Sequence, residues 1–287
     1  MIIYTLNDLK SAHIIKRPSK TCKSPYVADI KLDDDGSDDD GSDDKISNDE
    51  RSDVKMGHAP SLGCCGLCEK ESNVLVKKNL NGKTCSHTIY LSVINDNIIV
   101  GIHPKLAENI VDQALQKNCF SCLQNIKKLE REKKMLNSRF DFIGETEDDK
   151  PFILEVKTVP LCGYFNNIYG KYKDIMEVSK DKYPLDKKIA YFPDGYRKKK
   201  GDVVSPRALK HVQELAEIAK KGEITTYLCF VVQREDAEMF QISLHDPIYR
   251  AAVQSAVSDG VKLVVLHIKW TKEGEAYFIS DSLPIDI

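Results

Sequence analysis

The sequence predicts a chain of the α/β (α+β) class, with short strands through its first hundred residues and a mixed sheet flanked by helices after them. Three observations carry this reading. Short segments rich in β-formers, separated by polar turns, recur up to residue 103, the pattern of a small β-barrel or sandwich. Two near-continuous apolar runs, TTYLCFVVQ and VKLVVLHIKW, have the composition of strands buried on both faces. Each follows an amphipathic segment closed by a glycine, the first of them opened by Pro206, which is the punctuation of a helix. The chain therefore divides into residues 1–103 and 104–287.

Composition narrows the function classes. With 41% hydrophobic and 30% charged residues the 287-residue chain reads as soluble and globular. No run approaches the roughly 18 apolar residues of a membrane span. The start, MIIYTLNDLKSAHIIKRPSK, lacks the continuous apolar stretch and cleavage site of a signal peptide. The expectation is an intracellular protein, cytoplasmic or nuclear, with no membrane partner. Net charge is −2, but residues 33–53 hold eleven acids against Lys45 and Arg51, a local −9. The remainder carries +7, as a nucleic-acid-binding surface would.

Taken in order, the first 30 residues are strand-like, and SPYVADIKL alternates before breaking into DDDGSDDDGSDDKISNDERSD. That run cannot bury apolar surface and is expected to be a disordered insertion over 33–53. MGHAPSLGCCGLC reads as an irregular loop, and SNVLVKKN, HTIYLSVIN and NIIVGIH as three short strands. Leu106, Ile110, Val111, Ala114 and Leu115 have helical spacing, giving a linker helix over 104–118. A mixed stretch runs to Asn137, and 161–205, with no clean period, reads as an insertion that is mostly loop. In RALKHVQELAEIAKKG, Leu209, Val212, Leu215, Ala216 and Ala219 share one helical face.

The stretch SRFDFIGETEDDKPFILEVKTVP, Ser138 to Pro160, holds two apolar runs around an acidic turn and reads as an antiparallel strand pair. Alternation puts Glu155 and Lys157 on one face and Leu154 and Val156 on the other. Asp141 and Glu155, from neighbouring strands, can converge on a hard divalent cation, Mg2+ or Mn2+, with Lys157 facing whatever it holds. A cation there offsets charge growing on phosphorus. Asp, a gap of 13 residues, then Glu-x-Lys is the pattern of the PD-(D/E)xK nuclease superfamily. It also recurs by chance in charged chains, where it is only an alternating strand edge. The nine cysteines read as thiols. Two CxxC pairs, Cys65/Cys68 and Cys119/Cys122, have the internal spacing of a four-sulfur zinc site, though the separation between pairs exceeds the compact ribbon pattern.

The ordered series VADI, HAPSLG, SRFDF, LEVKTV, YFPD, RALKHVQEL, FVVQR, DPIYRAAVQSAVSDGVKL and LPI resembles the sugar fermentation stimulation protein A family. The resemblance covers almost the whole chain outside the acidic run and 161–205. It implies an N-terminal OB-fold-like domain that contacts DNA, a restriction-endonuclease-like C-terminal domain of the PD-(D/E)xK type, and a metal-dependent nuclease. It further implies Asp141, Glu155 and Lys157 as the catalytic set, with Glu130 completing the metal site. Arg139, Arg207, Lys210, His211, Gln233 and Arg234 are the implied nucleic-acid contacts. Within the insertion, Arg197, Lys198, Lys199 and Lys200 can extend a phosphate track, and Tyr164, Tyr169 and Tyr172 can stack on bases. The alternative is a DNA-binding or regulatory protein with an idle nuclease core. RNA is the other candidate substrate, because OB-like domains bind either single strand.

Overall fold

The structure is a computed structural model that describes residues 1–33, 54–61, 63–95, 97–179, 182–195, 197, 199 and 201–287. The acidic run beyond Asp33, Lys198 and Lys200 lie outside the described residues. The chain separates into one unit of residues 6–104 with 271–274, and another of 1–5, 105–270 and 275–287. Strand β1 (Ile2–Thr5), which the sequence assigns to the N-terminal domain, belongs to the second unit, because its pairing partner comes from the C-terminal end of the chain.

The first unit holds β2 (Leu9–Lys16), β3 (Val27–Leu32), β4 (Lys55–His58), β5 (Asn73–Lys78), β6 (His87–Ile94) and β7 (Ile98–Gly101). β2 pairs with β3 and β5, β3 with β4, and β5 with β6. A parallel contact of β4 with β6 closes a five-stranded OB-like barrel, and β7 adds to β6. Alternation explains the closure. Ala12 and Ile14, Ala28 and Ile30, Val74 and Val76 all point inward with Ile89 and are buried. Each buried Val or Ile contributes about 1.5–3 kcal/mol. Packing is tight at Gly57 on β4, where a Cβ would stand 3.1 Å from the Ile30 Cγ2 and push that side chain aside.

The second unit holds α1 (from Pro104, to Gln116), β8 (Ile126–Met135), β9 (Ser138–Thr146), β10 (Pro151–Val159), β11 (Cys162–Tyr164), α2 (Phe165–Tyr169), α3 (Lys173–Ser179) and β12 (Lys188–Phe192). It continues with α4 (Pro206–Ala219), β13 (Thr225–Val232), β14 (Met239–Ile242), α5 (Pro247–Ser258), β15 (Lys262–Trp270), β16 (Glu275–Ser280) and β17 (Ile285–Asp286). Its main sheet runs β1-β16-β15-β13-β10-β9-β8, with β10, β13 and β15 parallel. A smaller sheet runs β11-β12-β14-β17. α4 and α5 pack Val212, Leu215, Tyr249 and Val253 against Phe140, Ile153, Leu228 and Phe230 of the main sheet. Both helices begin with a side-chain cap followed by proline: Ser205 Oγ accepts from Ala208 N, and Asp246 Oδ1 from Tyr249 N. Each cap stabilises its helix by about 1 kcal/mol.

Two sequence expectations are corrected here. The mixed stretch before Asn137 is the edge strand β8, whose residues alternate poorly and are mostly exposed. The insertion 161–205 is mostly loop, as expected, but it also supplies β11, α2, α3 and β12, held by Phe165, Ile168, Tyr169 and Ile189, and the expectation corrected within it is Tyr169. Tyr169 is fully buried and donates to Gln241 Oε1 at 2.7 Å, so it is not a base-stacking surface. No helix among the described residues is long and apolar enough to cross a membrane.

Candidate active site

The β9–β10 ladder runs from Glu145↔Pro151 to Phe142↔Leu154 and stops one step before Asp141 and Glu155 would face each other. There the Asp141 side chain takes over from the backbone, its Oδ2 accepting from Val156 N at 2.7 Å. A carboxylate is thereby inserted where the two strands part. Toward the turn end of the ladder β8 packs closely on β9 at Gly144, where a Cβ would lie 2.5 Å from Lys128 O.

Glu155 is only 2% exposed. Its Oε1 accepts from Lys157 Nζ and from His211 Nδ1, which α4 brings across the sheet. Its Oε2 is buried and has no partner among the described residues. The Tyr249 hydroxyl on α5 is also buried without a partner, and burial, with the nearby Glu155 charge, raises its pKa well above the ordinary value. Burial pushes Asp141 up to about 7; the Glu155 charge adds to this, while Lys157 and the Val156 N–H oppose it. For Glu155 burial also acts upward, but Lys157 and His211 outweigh it and hold the carboxyl below its ordinary value. The pair thus contains one carboxylate kept ionised and one that loses its proton near neutrality.

Asp141, Glu155 and Lys157 are brought together as the sequence pattern requires. Glu130 is not part of this group. It stands opposite Ile143, and Lys128 and Lys133 bind it at 2.8 and 2.6 Å and hold its carboxyl down at about 2. The register brackets Glu132, not Glu130, opposite Asp141, and Arg139 approaches Glu132 at 3.4 Å. Recognising β8 as a strand and counting back through its turn is the signal that finds Glu132. Among the described residues, no group of three or more His, Cys, Asp or Glu side chains is placed to hold a metal ion.

Arg139, Arg207 and Lys210 line an open depression of about 450 Å³ that His211 also borders. Arg207 and Lys210 are exposed, and Lys210 reaches Asn137 O at 2.8 Å. His211, expected at phosphate, is instead 4% exposed and turned to Glu155. Gln233 and Arg234 are also corrected, because their polar groups are consumed internally. Gln233 donates to Thr158 Oγ1 and accepts from Trp270 Nε1. Arg234 forks onto Asp236 and donates to Pro160 O. In the insertion, the buried Nε and Nη2 groups of Arg197 have no partner among the described residues, and Lys199 is exposed. Of the cysteines read for zinc, Cys68 lies buried with its thiol on the Cys64 sulfur and Cys65 is exposed. Cys119 is buried and Cys122 exposed.

The family model described as the sugar fermentation stimulation protein RE domain matches residues 105–274. A sugar fermentation stimulation protein homolog of Clostridium perfringens is 25% identical over 218 residues, covering 75% of this chain and 81% of the relative. One from Crocosphaera subtropica is 26% identical over 235 residues, covering 79% and 84%. The fold is similar to that of Pyrococcus furiosus SfsA, solved in complex with Ca2+, with a TM-score of 0.72, 14% identity and 100% of both chains covered.

Proposed function

The chain belongs to the sugar fermentation stimulation protein family, and from that premise we propose that it is a DNA-binding, divalent-metal-dependent nuclease that hydrolyses phosphodiester bonds inside the cell. The observation that carries this reading is the meeting of Asp141, Glu155 and Lys157 with one buried Glu155 oxygen left without a partner. A buried acceptor on an ionised group is costly unless something fills it. A hard cation fits the donor set, since both acids offer oxygen. The Ca2+ held by the Pyrococcus furiosus relative supports a divalent ion of this kind, and we assign Mg2+ or Mn2+ to Asp141 and Glu155.

When bound, the ion supplies a Lewis acid and lowers the pKa of water. The protein's own groups do the rest. Lys157 sets a positive charge beside the acids, where it offsets charge building on phosphorus. Arg139, Arg207 and Lys210 hold the flanking phosphates in the depression.

The test is cleavage of end-labelled single- and double-stranded DNA, with RNA in parallel, in Mn2+, Mg2+ or EDTA. Wild type is compared with Asp141→Ala and Lys157→Ala. Metal-dependent cutting by wild type, lost in both variants, is expected. DNA binding without cutting on any substrate would instead make this a DNA-binding protein with an idle core.

A further inference from the structure

We propose that His211 is a positioning residue for Glu155: with Lys157 it pins one carboxylate oxygen, so that the other is presented to the cation shared with Asp141. This rests on the metal reading above. The terminal torsion of a glutamate is broad, so an unrestrained carboxylate presents either oxygen in many orientations. Here both donors fall on Oε1, and Oε2 is buried and bare. The two donors arrive from rigid and independent places. Lys157 is two residues along the same strand. His211 comes from α4, whose neighbouring Val212 and Leu215 are fully buried in the core and whose start is capped by Ser205.

The imidazole is not a free surface group. It is 4% exposed, and the Phe140 ring lies 6.0 Å from it, tilted by 57°. With a carboxylate as partner, Nδ1 carries the proton and donates it. The ring's Nδ1 edge is committed to Glu155 and cannot also meet a phosphate. Its chemistry is exercised through Glu155, as in the outer partners that orient metal-binding carboxylates.

The experiment measures Mn2+ affinity of the full chain, without nucleic acid, by electron paramagnetic resonance. His211→Leu removes the donor, His211→Asn places an amide N–H near the Nδ1 position, and His211→Gln places one near Nε2. Thermal midpoints of the metal-free proteins report folding. The expected result is affinity about 10-fold or more weaker in His211→Leu, restored to within about threefold of wild type by His211→Asn but not by His211→Gln. Should the leucine variant fail to fold, the difference between asparagine and glutamine carries the test alone. Equal Mn2+ affinity in all the folded variants overturns the positioning role and leaves the metal site standing. If wild type and Asp141→Asn bind Mn2+ equally weakly, the metal reading fails and this proposal falls with it.

Discussion

Two buried charged clusters sit on adjacent parallel strands of the same sheet, and they are satisfied in opposite ways. On β10, Glu155 keeps one oxygen without a partner, and burial lifts its neighbour Asp141 to about 7. Just past β13, Gln233 is bonded to Thr158 and Trp270, and Arg234 to Pro160 O and to Asp236, which also accepts from Lys188. Asp236 is accordingly held down at about 2: burial acts upward, but Arg234 and Lys188 outweigh it. Burial of charge therefore does not mark a site by itself. The proposed reading rests instead on unfilled acceptor capacity beside a carboxyl that titrates near neutrality.

The largest effect that separates the clusters is catalytic. Asp141→Ala is expected to reduce metal-dependent cleavage on the order of 10³-fold, several kcal/mol of lost electrostatic stabilisation, with DNA affinity changed little. Initial rates and filter binding on the same preparations check this. Arg234→Gln is expected to act the other way, on stability. Breaking the buried pair with Asp236 costs about 3 kcal/mol, read from urea midpoints, while the cleavage rate per folded molecule stays within twofold or so.

Acid titration sharpens the contrast. Asp236 has a folded pKa of about 2 against an ordinary 3.8, so it contributes stability above pH ~4 that is lost as pH falls toward 2. The contribution is about 2 kcal/mol, and Asp236→Asn should remove that acid-side loss. Asp141 has the opposite sign. Its folded state holds the proton more tightly than the unfolded chain does, so metal-free stability declines as pH rises from about 4 to 7. Asp141→Asn should flatten that slope in urea midpoints taken across the range. The smallest effect belongs to the exposed cations. Arg207→Gln is expected to weaken DNA binding a few-fold and lower the salt slope by about one.

Much of the second unit was legible because its signals are local. The β13 and β15 segments are apolar runs, and α4 and α5 carry helical spacing and caps, so period and punctuation suffice. β8 was not legible. IKKLEREKKM is an edge strand loaded with charge, which guards an open edge and erases the alternation that betrays a strand. That loss also hid the register, which brackets Glu132 and not Glu130 opposite Asp141. β1 was assigned to the wrong unit because its pairing with β16 is a contact that no local pattern encodes.

Of the site, Asp141, Glu155 and Lys157 could be read from spacing, because the strand period fixes their relation. His211, Gln233 and Arg234 could not be sorted in the same way. A polar residue beside a strand end looks identical in sequence whether its partner is Glu155, Thr158 or a phosphate. Only the hydrogen-bond inventory separates them.

The most direct measurement is anomalous scattering from a crystal of the full chain soaked in Mn2+. The account predicts a single strong peak shared by Asp141 and the Oε2 oxygen of Glu155, absent in Asp141→Asn. Crystals saturated with Mn2+ that show no peak there, or show it unchanged in the variant, would contradict it.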